Sequence, residues 1–229
     1  MATDAKRRGS VDGKGAQART RLARAAVVQA ARALFLDRGY AATTIEAISA
    51  RADVPPATVY RLFSSKLGIL EALLDVSIAG DDEAMPLQDR AHARALFSGA
   101  DPERQLSGFA GICREINSRS ATVYRILVSA AGSDPEAAAL LAEYTRKRQE
   151  GQGQIARSLA RAGELGPTLE ERDAADIIHA LMSPEVYRLL VCDRGWPPRR
   201  YEQWLTDTLI SQLLPPSSAA GGRTGSAAG

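Results

Sequence analysis

Two adjacent prolines, Pro55 and Pro56, cut a stretch of about twenty residues into two short apolar-patterned pieces and leave the chain little choice in how to connect them. Proline excludes the α conformation from the residue before it but is welcome in a first helical turn. Asp53-Val54-Pro55-Pro56 therefore predicts a tight turn followed at once by a new helix. Ahead of the turn, Thr43 and Thr44 are candidate N-caps for Ile45, Ala47, Ile48 and Ala52, and Thr44 is the expected cap of a helix that stops near Ala52. Behind the turn, Ala57 to Phe63 carries Val59 and Phe63 four residues apart, on one helical face. A longer helix from Thr20 to Arg38 supports both pieces, with Val27, Val28, Ala31, Leu34 and Phe35 at helical spacing and Gly39 as its left-handed end. Ser64-Ser65 then caps a fourth helix from Lys66, with Leu67, Leu70, Leu73 and Leu74 on its apolar side.

The rest of the chain reads as helix too, since alanine is its commonest residue and aromatic residues make up only 5%, a balance suited to closely packed helices rather than sheets. Helices are expected near residues 88 to 98, 102 to 118, 120 to 131, 135 to 163, 170 to 193 and 198 to 214. Pro184 should kink the fifth of these and leave the carbonyl near Ala180 short of a partner. Gly151-Gln152-Gly153 marks a bend or a close helix contact. The last two helices carry broad apolar faces, Ile177, Ile178, Leu181, Met182, Leu189 and Leu190, then Tyr201, Trp204, Leu205, Leu209 and Leu213, which invite packing against a second copy. Residues 1–18 predict a disordered basic arm, and residues 215–229 a disordered tail.

Charge separates the two ends. Residues 1 to 66 hold 12 Lys/Arg against 5 Asp/Glu, whereas residues 67 to 229 hold 17 against 22. A basic segment on a neutral-to-acidic body suggests that one end meets a polyanion. The Thr43–Phe63 segment, behind its long supporting helix, has the helix-turn-helix pattern, whose second helix enters the major groove of DNA. Thr58, Tyr60 and Arg61 project from that helix beside Ala57. Arginine can bond two acceptors on guanine, a threonine methyl can touch thymine, and a tyrosine hydroxyl can reach phosphate. Thr44 and Lys66, at the starts of the flanking helices, are expected to clamp phosphates on either side.

Residues 31 to 74 resemble the N-terminal domain of TetR-type transcriptional regulators. Leu34-Phe35, Gly39-Tyr40, Thr43-Thr44, Thr58-Val59-Tyr60, Phe63 and Ser65-Lys66 carry the resemblance, in one register. Two positions depart from the family pattern: Pro55-Pro56 replaces a serine and a small residue, and Leu62 stands where many members have a histidine. The resemblance implies an all-α protein, with an N-terminal three-helix helix-turn-helix DNA-binding domain (residues 19–66) joined to a larger helical ligand-binding and dimerisation domain (residues 67–214). It further implies a homodimer on a double-stranded DNA operator, most simply a repressor released from an inverted repeat by a small-molecule effector.

For the effector, Phe109, Cys113, Tyr124, Tyr144 and Met182 are candidate pocket walls, with Asn117 and Arg119 as orienting polar groups. No cofactor or metal is expected, because His92 and His179 are far apart, and Cys113 and Cys192 read as reduced core thiols. No nucleophile elbow or carboxylate pair stands out, so an enzyme is not expected. The competing reading is a helical enzyme or small-molecule carrier without DNA binding, whose basic end only solubilises it. No stretch is apolar enough to span a bilayer or serve as a secretion signal, so the expected location is cytoplasmic, without a membrane partner.

Overall fold

A computed structural model describes residues 5–80 and 101–216, with side chains from residue 15 onward. The described elements are α1 (Ala5–Ala42), α2 (Ile45–Ala52), α3 (Pro56–Phe63), α4 (Lys66–Ala79), α5 (Pro102–Ala131), α6 (Pro135–Ala162), α7 (Glu171–Leu181), α8 (Pro184–Tyr187), a π-helical turn (Arg188–Asp193) and α9 (Pro198–Leu213). None of the described helices is long and apolar enough to cross a membrane. The helix expected near residues 88 to 98 and the tail beyond residue 216 lie outside the described residues.

The chain forms two compact units, one of residues 1–83 and 119–144, the other of residues 84–118 and 145–229. This division replaces the single boundary expected at Lys66. The first unit is built on one apolar cluster. Val27, Val28, Ala31, Leu34 and Phe35 of α1 join Ile45 and Ile48 of α2, Val59 and Phe63 of α3, and Ile69, Leu70, Leu73 and Leu74 of α4. Val123, Ile126, Leu127 and Ala130 of α5, with Ala137 and Leu140 of α6, complete the same cluster. Burying apolar surface is the main driving force of folding, so α4 stays with the helices that cover its leucines rather than beginning a second domain.

Local signals set the helix ends. Thr44 and Ser65 cap α2 and α4 through their hydroxyls, accepting from the amides of Ala47 and Gly68, both at 3.1 Å. Asp101 and Asp134 do the same for α5 and α6, each followed by a proline in the first turn. The helical path of α1 is broken at Gly39, where φ is 80°, as its glycine predicts. The start of α1 is a correction: the helix begins at Ala5, so residues 5–18 continue it rather than forming a disordered arm. Once a helix is nucleated, each added residue contributes a hydrogen bond, and Ala, Lys, Arg and Gln extend it readily. Thr20, the expected first residue, sits inside the helix with its hydroxyl donating to the Ala16 carbonyl at 3.0 Å.

Further corrections concern the second half of the chain. The helices expected at 102 to 118 and 120 to 131 are one, α5. Ser118 donates its hydroxyl to the Glu115 carbonyl at 2.7 Å, a bond that keeps a mid-helix serine within the helical path. Gly151-Gln152-Gly153 lies inside α6 without a break, and a Cβ at Gly153 would meet nothing within 4 Å. Pro184 ends one helix and starts another: Ser183 caps α8 by accepting from the Val186 amide at 3.2 Å. The Ala180 carbonyl, expected to lack a partner, accepts from the Ser183 amide at 3.3 Å. The carbonyl released by the restart is that of Met182, and it accepts from the Cys113 thiol at 3.5 Å and the Asn117 side-chain amide at 3.4 Å.

Candidate nucleic-acid interface

The eight residues of α3 divide cleanly by burial. Val59 and Phe63 are 0% and 7% exposed, turned into the core of the first unit, while Ala57, Tyr60 and Arg61 are exposed and Thr58 is half-buried. The turn before α3 is held by Asp53, in a left-handed conformation with φ of 53°, and by the Ser49 hydroxyl, which donates to the Val54 carbonyl. With prolines at Pro55 and Pro56, the first amide of α3 is that of Ala57, and the Thr58 and Val59 amides fold back onto the Pro55 carbonyl. Thr44 is exposed at the start of α2. Its oxygen accepts from Ala47, which leaves the hydroxyl proton to donate outward.

Lys66 is placed differently from the expected phosphate clamp. Its ammonium donates to the carbonyls of Tyr40 at 2.8 Å and Thr43 at 2.9 Å, reaches the Ala41 carbonyl at 3.5 Å, and lies 4.3 Å from the centre of the Tyr40 ring. Desolvation lowers its pKa, and Asp134 acts in the opposite sense. Arg24, missed in the sequence, donates to the Leu62 carbonyl at 2.8 Å with its guanidinium carbon 4.5 Å from the centre of the Phe63 ring. Its signal was legible: Arg24 stands one turn ahead of Val27 and Val28, where the apolar stripe of α1 calls for another apolar residue.

A supporting helix carrying a two-helix reader, with a helical second unit behind it in sequence, matches two family descriptions. Residues 27–73 match "Bacterial regulatory proteins, tetR family", and residues 103–208 match "Tetracyclin repressor-like, C-terminal domain". The chain belongs to the TetR family. The HTH-type transcriptional regulator YdeS of Bacillus subtilis (strain 168), itself uncharacterised, is 28% identical over 171 residues, covering 72% of this chain and 77% of that one. TcmR of Streptomyces glaucescens is 30% identical over 155 residues, 63% of this chain and 62% of that regulator. Among solved structures, NalD of Pseudomonas aeruginosa, the secondary repressor of the MexAB-OprM multidrug efflux pump, shares the fold with a TM-score of 0.66 at 20% identity, covering 85% of this chain and 98% of its own. A SmeT–triclosan complex does so with a TM-score of 0.62 at 17% identity, covering 90% and 99%.

The effector walls named for this TetR-family chain come from both units. Phe109, Cys113 and Met182 are buried in the second, at 6%, 5% and 7% exposure. Tyr124 and Tyr144 belong to the first, where Tyr124 packs against the core and the Tyr144 hydroxyl donates to the Asp75 carboxylate. Arg119 is a helix cap rather than a ligand group, its guanidinium donating to the Ser77 and Ile78 carbonyls at the end of α4, both at 3.2 Å. Gly80 is required beside it: a Cβ there would lie 2.8 Å from the Arg119 guanidinium carbon, and φ at Gly80 is 81°. The Cys113 thiol is pushed up to about 12 by burial, consistent with a core role, whereas Cys192 is exposed, contrary to expectation. The apolar face of α9 is also reassigned in part: Tyr201, Leu205, Leu209 and Leu213 are fully buried within the chain and cannot also serve a partner copy. Leu189, 49% exposed, keeps its side chain available.

In the second unit His179 is held between two polar side chains, Arg148 and Gln152. Arginine only donates, so His179 Nε2 accepts from Arg148 at 3.0 Å, and the ring proton therefore sits on Nδ1, 2.8 Å from Gln152 Oε1. Burial and the Arg148 cation push the His179 pKa down, against smaller opposing contributions from Glu185 and Asp176. The native imidazole thus binds a proton less readily than the unfolded one. The stability it contributes is complete above about pH 6.5 and falls as pH drops below that value. Urea denaturation at about pH 7.5 and pH 5.5 should show wild type losing more stability on acidification than His179→Gln; identical pH dependence in the two proteins would remove His179 from this role.

Proposed function

We propose that the chain is a ligand-responsive transcriptional repressor that binds an inverted-repeat operator as a homodimer and is released by a small molecule. One observation carries the DNA-reading part: α3 buries Val59 and Phe63 and turns Ala57, Tyr60 and Arg61 outward, with Thr58 at its flank. Thr44, at the start of α2, supplies a phosphate contact. A helix anchored on one face and open on the other is the geometry that major-groove reading requires. Two such helices in a dimer occupy major grooves about one helical turn or slightly more apart, so the operator is an inverted repeat. Repression and response to a ligand draw on NalD, described as a repressor, and on SmeT, solved with triclosan bound. An effector releases DNA only through its difference in affinity between the DNA-competent and incompetent forms.

The test is selection of bound duplexes from a random library at physiological salt, where salt matters because most of the affinity is counterion release. An enriched inverted repeat is the expected result, and no enrichment over input overturns the reading. On the selected duplex, Arg61→Ala should weaken binding by about 1 to 3 kcal/mol and relax base preference at one position of each half-site. Unchanged discrimination between that duplex and a scrambled one would take Arg61 out of the reading surface.

A further inference from the structure

We propose that Lys66 and Arg24 are positioning residues of the reading head, holding α3 through bonds to backbone carbonyls instead of bonding the DNA backbone. This rests on the DNA-reading assignment above. The break at Gly39 puts the Tyr40, Ala41 and Thr43 carbonyls in the last turn of α1 and the link to α2, where the Tyr40 carbonyl accepts from the Thr43 amide at 3.3 Å and has room for a second donor, and backbone acceptors short of partners are costly near a core. An ammonium has three N–H bonds, and the Lys66 group meets these three carbonyls while its charge rests against the Tyr40 ring. Nothing on that nitrogen is left to aim at a phosphate. The bond ties the turn before α2 to the first residue of α4 and so closes a ring around α3. Arg24 acts on the other end of α3. Its bond to the Leu62 carbonyl joins α1 to the last turn of α3, and its contact with Phe63 sets the roll of the helix about its axis. Arg61 is the residue just before Leu62, so that roll decides where Arg61 points.

The two roles leave different signatures. A cation that neutralises a phosphate contributes about 0.9 to the slope of log K against log salt concentration, whereas a positioning residue contributes nothing to it. Binding to the duplex enriched in the selection is measured for Lys66→Met, Lys66→Arg and Arg24→Gln across a range of salt concentrations. The expected result for Lys66→Met and Lys66→Arg alike, and for Arg24→Gln, is a loss of about tenfold with the wild-type slope. Loss of specificity should exceed loss of binding to a scrambled duplex. A slope reduced by about one unit in Lys66→Met or Arg24→Gln, or full affinity in Lys66→Arg, overturns the assignment for that residue.

A second measurement needs neither a variant nor DNA. The chain has four lysines, Lys6, Lys14, Lys66 and Lys147, so ammonium resonances in nitrogen-15 spectra can be assigned one by one. Lys66 protons should exchange with solvent far more slowly in the free protein than those of a lysine side chain in a short unstructured peptide. Equal rates overturn the carbonyl-held ammonium even if no duplex is ever bound, which keeps this outcome separate from failure of the DNA reading.

Discussion

Gly68→Ala is expected to lose about 2 to 4 kcal/mol of stability, a large effect for one methyl group. A Cβ built on Gly68 would lie 2.1 Å from the Phe63 carbonyl oxygen and 3.3 Å from the carbonyl carbon. The atoms in the way belong to the backbone of the last turn of α3, so no side chain can rotate aside. Relief requires the start of α4 to move off the end of α3 by roughly 1 Å, and that movement strains the Ser65 amide bond to the Phe63 oxygen, now 2.7 Å long. Better helix propensity returns about 1 kcal/mol, which is too little. Gly153→Ala is the control: within α6 its methyl meets nothing within 4 Å, so there the same change should stabilise the protein by about 0.5 to 1 kcal/mol. Urea denaturation of the two variants should therefore give opposite signs. A Gly68→Ala protein as stable as wild type would show that the two helices are not seated against each other as described.

The second large effect is expected at Asn117, 4% exposed in the core of the second unit. Its side-chain amide donates to the Cys113 sulfur at 3.2 Å and to the Met182 carbonyl at 3.4 Å, supplying a partner for the acceptor that the Pro184 restart sets free. In Asn117→Asp, a carboxylate replaces the donor and faces that carbonyl. An uncompensated charge in such a place costs about 3 to 5 kcal/mol. The sign with pH follows. Burial raises this carboxyl above its unfolded value of about 3.9, so the protonated form, able to donate, is favoured in the native state. The deficit against wild type should be small near pH 4, grow as pH rises, and reach its full size once the native carboxyl is ionised. Urea denaturation at about pH 5 and pH 8, each against wild type at the same pH, measures it. An equal deficit at both values would mean that Asn117 acts by shape rather than as a donor.

What the sequence disclosed, and what it withheld, follows from the range of each signal. α2, α3 and α4 were legible almost to the residue because their ends depend on neighbours: Thr44 and Ser65 accept from amides three positions on, and the prolines restrict their own turn. The Ser183-Pro184 restart had the same signature as Asp101-Pro102 and Asp134-Pro135, a capping side chain followed by a proline in the first turn, and reading it as a kink missed a local rule. Lys66 was different. Its type and place at the start of α4 fit a phosphate contact, and only the fold shows that its three bonds lead to carbonyls more than twenty residues earlier. The surroundings of the named pocket walls were hidden for a similar reason. An apolar stripe says that a residue is covered but not by what, and Tyr124 and Tyr144 are covered by the reader's own core.

That core also bears on how such a protein can be inherited in pieces. Val123, Ile126, Leu127, Ala130, Ala137 and Leu140 arrive from the middle of the chain to complete a cluster begun at Val27. A genetic graft that moved only the first eighty or so residues onto another body would carry the reading surface without these six apolar partners. Recombination that respects this protein's physics has to transplant two stretches of coding sequence together, or supply a recipient whose own middle helices offer a matching strip.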